Sequence, residues 1–197
     1  MAIATEQIKK LRELTGAGVL DAKRTLEEFN GDFEKALALL KEKAAQVAEK
    51  KAERVAKQGL IESYVHPGGR VGVIVEVNCE TDFVAATNDF TDLAHNLALQ
   101  IAAFKPQYVS TSDVPAEVVE EMKKKIADAA LADGKPANII ERIVTGKVEA
   151  FYKEACLLNQ VYIRDDKLTV NDLVKTTIGK VGENIVVRRF VRFELGE

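Results

Sequence analysis

The residues best placed to act on another molecule lie in one run, E-V-N-C-E-T-D-F-V, Glu76 to Val84. It opens as an alternating strand and closes with Asp82 beside Phe83, a pairing that suits neither a strand nor a buried helix. A carboxylate presented there can repel phosphate oxygens or compete for a cation's ligands. A phenyl ring presented there can enter a preformed pocket, and burying it contributes about 1.5–3 kcal/mol. The other reading is local. Thr81 or Asp82 caps the next helix and Phe83 packs beneath it, as most phenylalanines do. Position alone leaves both open.

Other chemistry is thinly represented. Of the two histidines, His66 precedes Pro67 in a turn and His95 falls off the apolar stripe of its helix. Neither has metal-ligand spacing to another His or Cys, so no metal site is expected. There is no G-x-S-x-G and no G-x-x-x-x-G-K phosphate loop. Asp165-Asp166 reads as part of a polar loop. Cys79 and Cys156 lie far apart and outside any C-x-x-C pair, which predicts reduced thiols, with Cys79 a small core residue. Hydrolytic and metal-dependent enzymes are disfavoured on these grounds, and no cofactor is expected.

The elements that position these residues follow from periodicity. Ile8, Leu11 and Leu14 mark one helix, closed at T-G-A-G. D-A-K-R-T-L-E-E-F predicts a second. Asp32 caps a third, which carries Phe33, Ala36, Leu37 and Leu40 on one side. Residues 1–40 thus read as a three-helix head. From Lys41 to Lys57 six basic residues stand against three acidic ones, a local charge of +3, in an Ala-rich helical stretch. This predicts a solvated helical linker over 41–57. Residues 58–197 read as an α+β body. L-I-E-S-Y-V-H and R-V-G-V-I-V-E-V-N-C form a hairpin across P-G-G, with Val71, Val73, Val75, Val77 and Cys79 on one face. A helix with Phe90, Leu93, Leu97 and Ile101 buried follows and stops at Lys105-Pro106. Asp113 and Pro115 open a helical hairpin at about 115–160, broken at A-D-G-K-P. Thr169 to Ile178 gives a short helix. The last alternating run pairs with the hairpin in a small antiparallel sheet, so the fold class is α+β.

Composition sets the bounds. The 197 residues are 47% hydrophobic and 30% charged, with a net charge of −3, which describes a mixed surface and gives no global argument for nucleic acid. No apolar run reaches the ~20 residues of a membrane span. The first ten residues lack the pattern of a signal peptide. A cytoplasmic protein without membrane partners is expected.

Two stretches resemble one family. L-R-E-L-T-G-A-G-V-L-D-A-K-R-T-L, Leu11 to Leu26, is similar to the amino-terminal signature of bacterial elongation factor Ts, and Glu76 to Val84 is similar to its second signature. Gly134 to Gln160 resembles the family's helical hairpin, and R-R-F-V-R-F-E-L-G-E the end of its short form. Ala86 and Val161 depart from it, standing where a basic or amide residue and a proline are common. The resemblance implies a guanine-nucleotide exchange factor that binds elongation factor Tu·GDP and promotes GDP release in translation elongation, with no covalent chemistry. It implies a ubiquitin-associated-like (UBA-like) head that contacts the G domain through Arg12, Val19 and Leu20. Thr81, Asp82, Phe83 and Val84 would form the exchange element. There Asp82 and Phe83 intrude beside the magnesium and phosphate site, and Phe83 wedges between two helices. It also implies a homodimer, since short forms carry half of the long form's core. The alternative is a UBA-like adaptor for proteins or peptides without exchange activity, in which T-D-F-V has no role. A third reading is ribosome or RNA contact through residues 41–57, which steep salt dependence of RNA binding would support; a charge run is usually a wet face, and no direct nucleic-acid partner is expected.

Overall fold

The computed structural model describes residues 4–197. Met1–Ile3, which begin both the 1–40 head and the segment read for a leader, lie outside the described residues. The chain forms two compact units. One runs up to Ala98 and resumes at Asn171–Glu197; the other is Leu99–Val170, inserted between them in sequence.

The first unit opens with three helices, Thr5–Thr15 (α1), Val19–Glu28 (α2) and Phe33–Lys51 (α3). Leu11, Ala22, Leu26, Ala36 and Leu40 form their shared core, with Ile8, Phe29, Phe33 and Leu37 packed around it. Thr15, the last residue of α1, donates its hydroxyl to the Leu11 carbonyl at 2.6 Å. Gly16 follows with φ 71°, and a Cβ there would come within 2.4 Å of Lys180 Cγ. Its glycine is therefore required twice, for the left-handed turn and for the close approach. Asp32 caps α3, accepting the Lys35 amide at 3.2 Å. The helix does not pause at residue 40. It continues to Lys51 with Ala48 buried, and only residues 52–57 leave it. Ala, Lys and Glu keep the helix going, and the buried Ala48 ties part of the expected wet stretch to the protein.

Gln58–Val65 (β1) and Val71–Cys79 (β2) form the hairpin, and Ile185–Glu194 (β5) adds to the other side of β2. The sheet is antiparallel in the order β1-β2-β5. Val73, Val75, Val77 and Cys79 are buried on one face. The β2–β5 register shifts between Glu76 and Val77, so that Arg188 is left without a pairing partner. This bulge lets both Val187 and Phe190 lie on the same face as those valines, since it resets the two-residue alternation. Asp82–Ala85 (α4) is a single helical turn after β2. Asn88–Phe104 (α5) follows, with Phe90, Leu93, Leu97 and Ile101 fully or almost fully buried. His95 of α5 is exposed and pairs with Glu62 of β1 at 3.0 Å, its ring edge-on to Tyr64. That contact places α5 on the Val73–Cys79 face, because Glu62 and Tyr64 stand opposite Val75 and Val73.

In the second unit, Ala116–Ala132 (α6) and Ala137–Ala155 (α7) pack as the helical hairpin, turning at Gly134. Asp113 does not cap α6. It closes a short 3-10 turn instead, accepting from the amide and hydroxyl of Ser110 at 2.8 and 2.6 Å, and Pro115 takes the N-cap position itself. Val161–Tyr162 (β3) and Asp165–Thr169 (β4) make a two-stranded ribbon where a polar loop was expected. It is held by two buried glutamines. Gln100 donates to Gln160 Oε1 and to the Val161 carbonyl, both at 3.1 Å, and accepts the Ile163 amide at 2.9 Å. Gln160 donates to the Glu154 carbonyl at 2.7 Å. Val170–Val181 (α8) leads back to the first unit. The architecture is a small antiparallel sheet with helices, an α+β fold.

Candidate functional site

The site forms where β2 runs out. Cys79 is fully buried at its end, and its thiol lies 3.0 Å from the Thr81 carbonyl. Burial pushes the Cys79 thiol up, which keeps it neutral and unreactive. Thr81 is extended at φ −127° and its hydroxyl oxygen accepts the Val84 amide at 3.3 Å, which makes it the N-cap of α4. The sequence offered Thr81 or Asp82 for that task; Thr81 performs it, and Asp82 is left exposed in the first turn.

A partner distant in sequence fixes Thr81. Glu183 accepts the Thr81 hydroxyl at 2.7 Å and the Thr81 amide at 3.0 Å, one on each carboxylate oxygen. The next residue, Asn184, is buried and donates its amide to Glu80 Oε1 at 2.7 Å. The turn is thus gripped on both sides of the Glu80–Thr81 bond. On the far side, the amides of Ala85 and Ala86 return to the carbonyls of Thr81 and Asp82, and Thr87 donates its hydroxyl to the Val84 carbonyl at 2.7 Å.

Phe83 stands on this turn with 82% of its surface exposed. The reading in which it packs beneath a helix is therefore wrong for this chain. A helix of four residues has no inner layer to receive a phenyl ring, and the residues of α4 that are half-buried are Val84 and Ala85.

Arg12, Val19 and Leu20 lie in the head. Val19 and Leu20 begin α2 at 50% and 76% exposure, outside the core that Ala22 and Leu26 enter. Their internal-packing reading is likewise excluded. Arg12 is exposed and lines a shallow depression with Lys9, Glu13, Gly16, Ala17, Asp89 and Lys180. Asp89 belongs to the first turn of α5, so this depression joins the head to the helix that follows Phe83. Among the described residues no group of three or more His, Cys, Asp or Glu side chains is arranged to hold a metal. No described helix is long and apolar enough to cross a membrane.

Sequence reasoning missed Glu183 and Asn184. Their only local signal is G-E-N between a helix and a strand, which reads as an ordinary polar turn.

The family model described as Elongation factor TS matches residues 2–197. This chain belongs to the elongation factor Ts family. Curated relatives of that name agree over its whole length. Elongation factor Ts of Thermotoga maritima is 57% identical, covering 100% of this chain and 98% of the relative. That of Thermoanaerobacter sp. is 55% identical over 99% of this chain and 96% of its own. That of Carboxydothermus hydrogenoformans is 54% identical over 99% and 90%. Membership in the elongation factor Ts family makes the chain a nucleotide exchange factor of protein biosynthesis.

Proposed function

We propose that the Thr81–Val84 turn is the element with which this exchange factor opens its partner, Phe83 acting as wedge and Asp82 as the charge that disturbs the ion site. The function it serves is the family's: binding elongation factor Tu·GDP and promoting GDP release during translation elongation, in the cytoplasm. No covalent bond is made or broken. The head, UBA-like in this reading, docks on the G domain through Arg12, Val19 and Leu20.

One observation carries the reading. Phe83 is held out in solvent on a turn whose flanking backbone is fastened: the Thr81 and Val84 amides both donate, and the Thr81, Asp82 and Val84 carbonyls all accept. A backbone so held has little conformational freedom left to lose when the ring enters a pocket, so more of the burial energy reaches the partner. Asp82, beside it, brings negative charge to wherever the ring is inserted. Near phosphates and their cation, that charge raises the free energy of the nucleotide-bound state relative to the empty one.

The test follows fluorescent GDP leaving elongation factor Tu. The wild-type chain accelerates release. Phe83→Ala slows the accelerated rate by roughly tenfold to a hundredfold, the kinetic equivalent of about 1.5–3 kcal/mol, while circular dichroism stays native. Unchanged release with Phe83→Ala would remove the site from the mechanism.

A homodimer completes the proposal. The sheet face opposite α5 carries Ile61 and Val65 of β1, Ile74 of β2, and Val191 and Phe193 of β5, all exposed. The registers Val65↔Gly72↔Phe193 and Ser63↔Ile74↔Val191 bring them into one patch. Beside it, Arg189 bonds Glu76 at 2.7 Å. A second copy of the chain, turned about a two-fold axis, meets this face with the same face, apolar against apolar, at the spacing of packed sheets. Ile74→Asp at the centre puts two carboxylates into that seam. Sedimentation at micromolar concentration should give a dimer for the wild type and a monomer for the variant. A monomeric wild type would overturn the dimer and leave the exchange reading standing.

A further inference from the structure

We infer that Glu183 is a positioning residue for exchange: acting through the Thr81 hydroxyl, it sets the aim of the turn that carries Phe83. The inference rests on the reading of Phe83 given above.

Thr81 has one hydroxyl proton. It is donated to Glu183 Oε1 at 2.7 Å, which turns the oxygen's lone pairs toward the Val84 amide at 3.3 Å. Without the carboxylate the hydroxyl rotates freely, and the cap is present only part of the time. The other oxygen, Oε2, accepts the Thr81 amide at 3.0 Å and so holds the backbone of the capping residue as well. Both contacts need an acceptor, and a carboxylate is the side chain that supplies two acceptors and no donor. A single turn cannot hold itself by helix propensity. The exposed ring adds no packing of its own. The direction of Phe83 therefore depends on its anchor.

That anchor is built into a larger knot within the first unit. Gly182 has φ 75°, and its carbonyl accepts the ammonium of Lys51 at the end of α3. Asn184 donates its side-chain amide to the carbonyls of Ala52 and Arg54, at 3.3 and 2.8 Å. Arg54 in turn lies 3.6 Å from Glu80 Oε1, the oxygen that accepts the Asn184 backbone amide. Residues 182–184 thus tie together the end of the long head helix, the junction of β2 with α4, and the entry to β5. Glu183 is the member of this knot that reaches the exchange turn, and it touches Thr81 rather than the ring.

The experiment uses the full chain and elongation factor Tu loaded with fluorescent GDP, in stopped flow at rising factor concentration. Glu183→Gln, close in size but with one acceptor replaced by a donor, should lower the maximal release rate about tenfold, the kinetic equivalent of one charge-assisted hydrogen bond, and leave the half-saturating concentration within about twofold. Adding Glu183→Gln to Thr81→Val should slow release no further than Thr81→Val alone. Hydrogen exchange at the Val84 amide should speed up in Glu183→Gln while the β2 amides keep their protection. A wild-type maximal rate in Glu183→Gln, alongside a slow Phe83→Ala, would overturn the inference and spare the wedge. So would full additivity with Thr81→Val, or a change confined to the half-saturating concentration, which would mark a docking role. A wild-type rate in Phe83→Ala would fell the wedge reading itself, and this inference with it. If Glu183→Gln fails to fold, Thr81→Val carries the rate and exchange criteria, and a wild-type rate there overturns the inference.

Discussion

Single exposed apolar residues are ordinary on protein surfaces. What separates Phe83 from the rest is its support: Val84 and Thr81 on either side are both hydrogen-bonded through their backbones. Asp32 shows the same economy in the head. Its carboxylate takes both the Lys35 amide and the Lys35 ammonium, the latter at 3.0 Å, and Lys35 holds the carboxyl below the usual aspartate range. A folded-state pKa lowered in this way adds stability above the unfolded pKa, and that stability is lost as pH falls through the folded pKa. Asp32→Ala should therefore melt below the wild type at neutral pH, and the two should converge in acid below the carboxylate range. A constant gap across pH in calorimetry would show that Asp32 acts through shape and not charge. Among single residues, the cap at Asp32 was legible in the sequence, whereas Asp113 was misread because its carboxylate turns back to Ser110 instead of forward to α6. Glu183 was not, because its partner Thr81 is 102 positions away and no local pattern announces it.

At the scale of elements, the alternation of valines along β2 stated both the strand and its buried face. The apolar stripe of α5 did the same for that helix. Three elements were hidden for identifiable reasons. The one-turn α4 has four residues, too few for a helical period to repeat. The β3–β4 ribbon has little apolar alternation, and its backbone is pinned by Gln100, which lies 61 to 63 positions away on α5. The bulge at Arg188 shifts which residues of β5 face inward, and only the pairing with β2 reveals it. Gly59, the second residue of β1, has φ 139°, and a Cβ there would lie 2.1 Å from the Val77 carbonyl oxygen on the neighbouring strand. Gly59→Ala should cost about 3 kcal/mol from backbone strain and crowding together, read as a lower urea midpoint. A midpoint equal to the wild type would mean that the start of β1 bends away at no cost.

For the whole molecule, release of a tightly held nucleotide is a matter of differential affinity. The factor and GDP must weaken each other's binding by the same ratio. Moving a partner from 1:99 to 99:1 takes about 5.5 kcal/mol, more than one phenyl ring supplies, so under the proposed reading the turn needs the head and the rest of the contact surface to supply the remainder. Titration against nucleotide-free and GDP-bound elongation factor Tu should show the free form bound more tightly. Phe83→Ala should shrink that ratio by about tenfold, with little change in affinity for the GDP-bound form. Equal losses toward both forms would make Phe83 a mere adhesive. The sheet also has a history in time. Its central strand meets β1 across a short turn, but its other neighbour, β5, begins at Ile185, beyond the whole of the second unit. Closing so long a loop is slow. A nascent chain therefore spends an interval with one flank of its middle strand bare and sticky, and quality-control machinery that shields such flanks has its best opportunity in that interval.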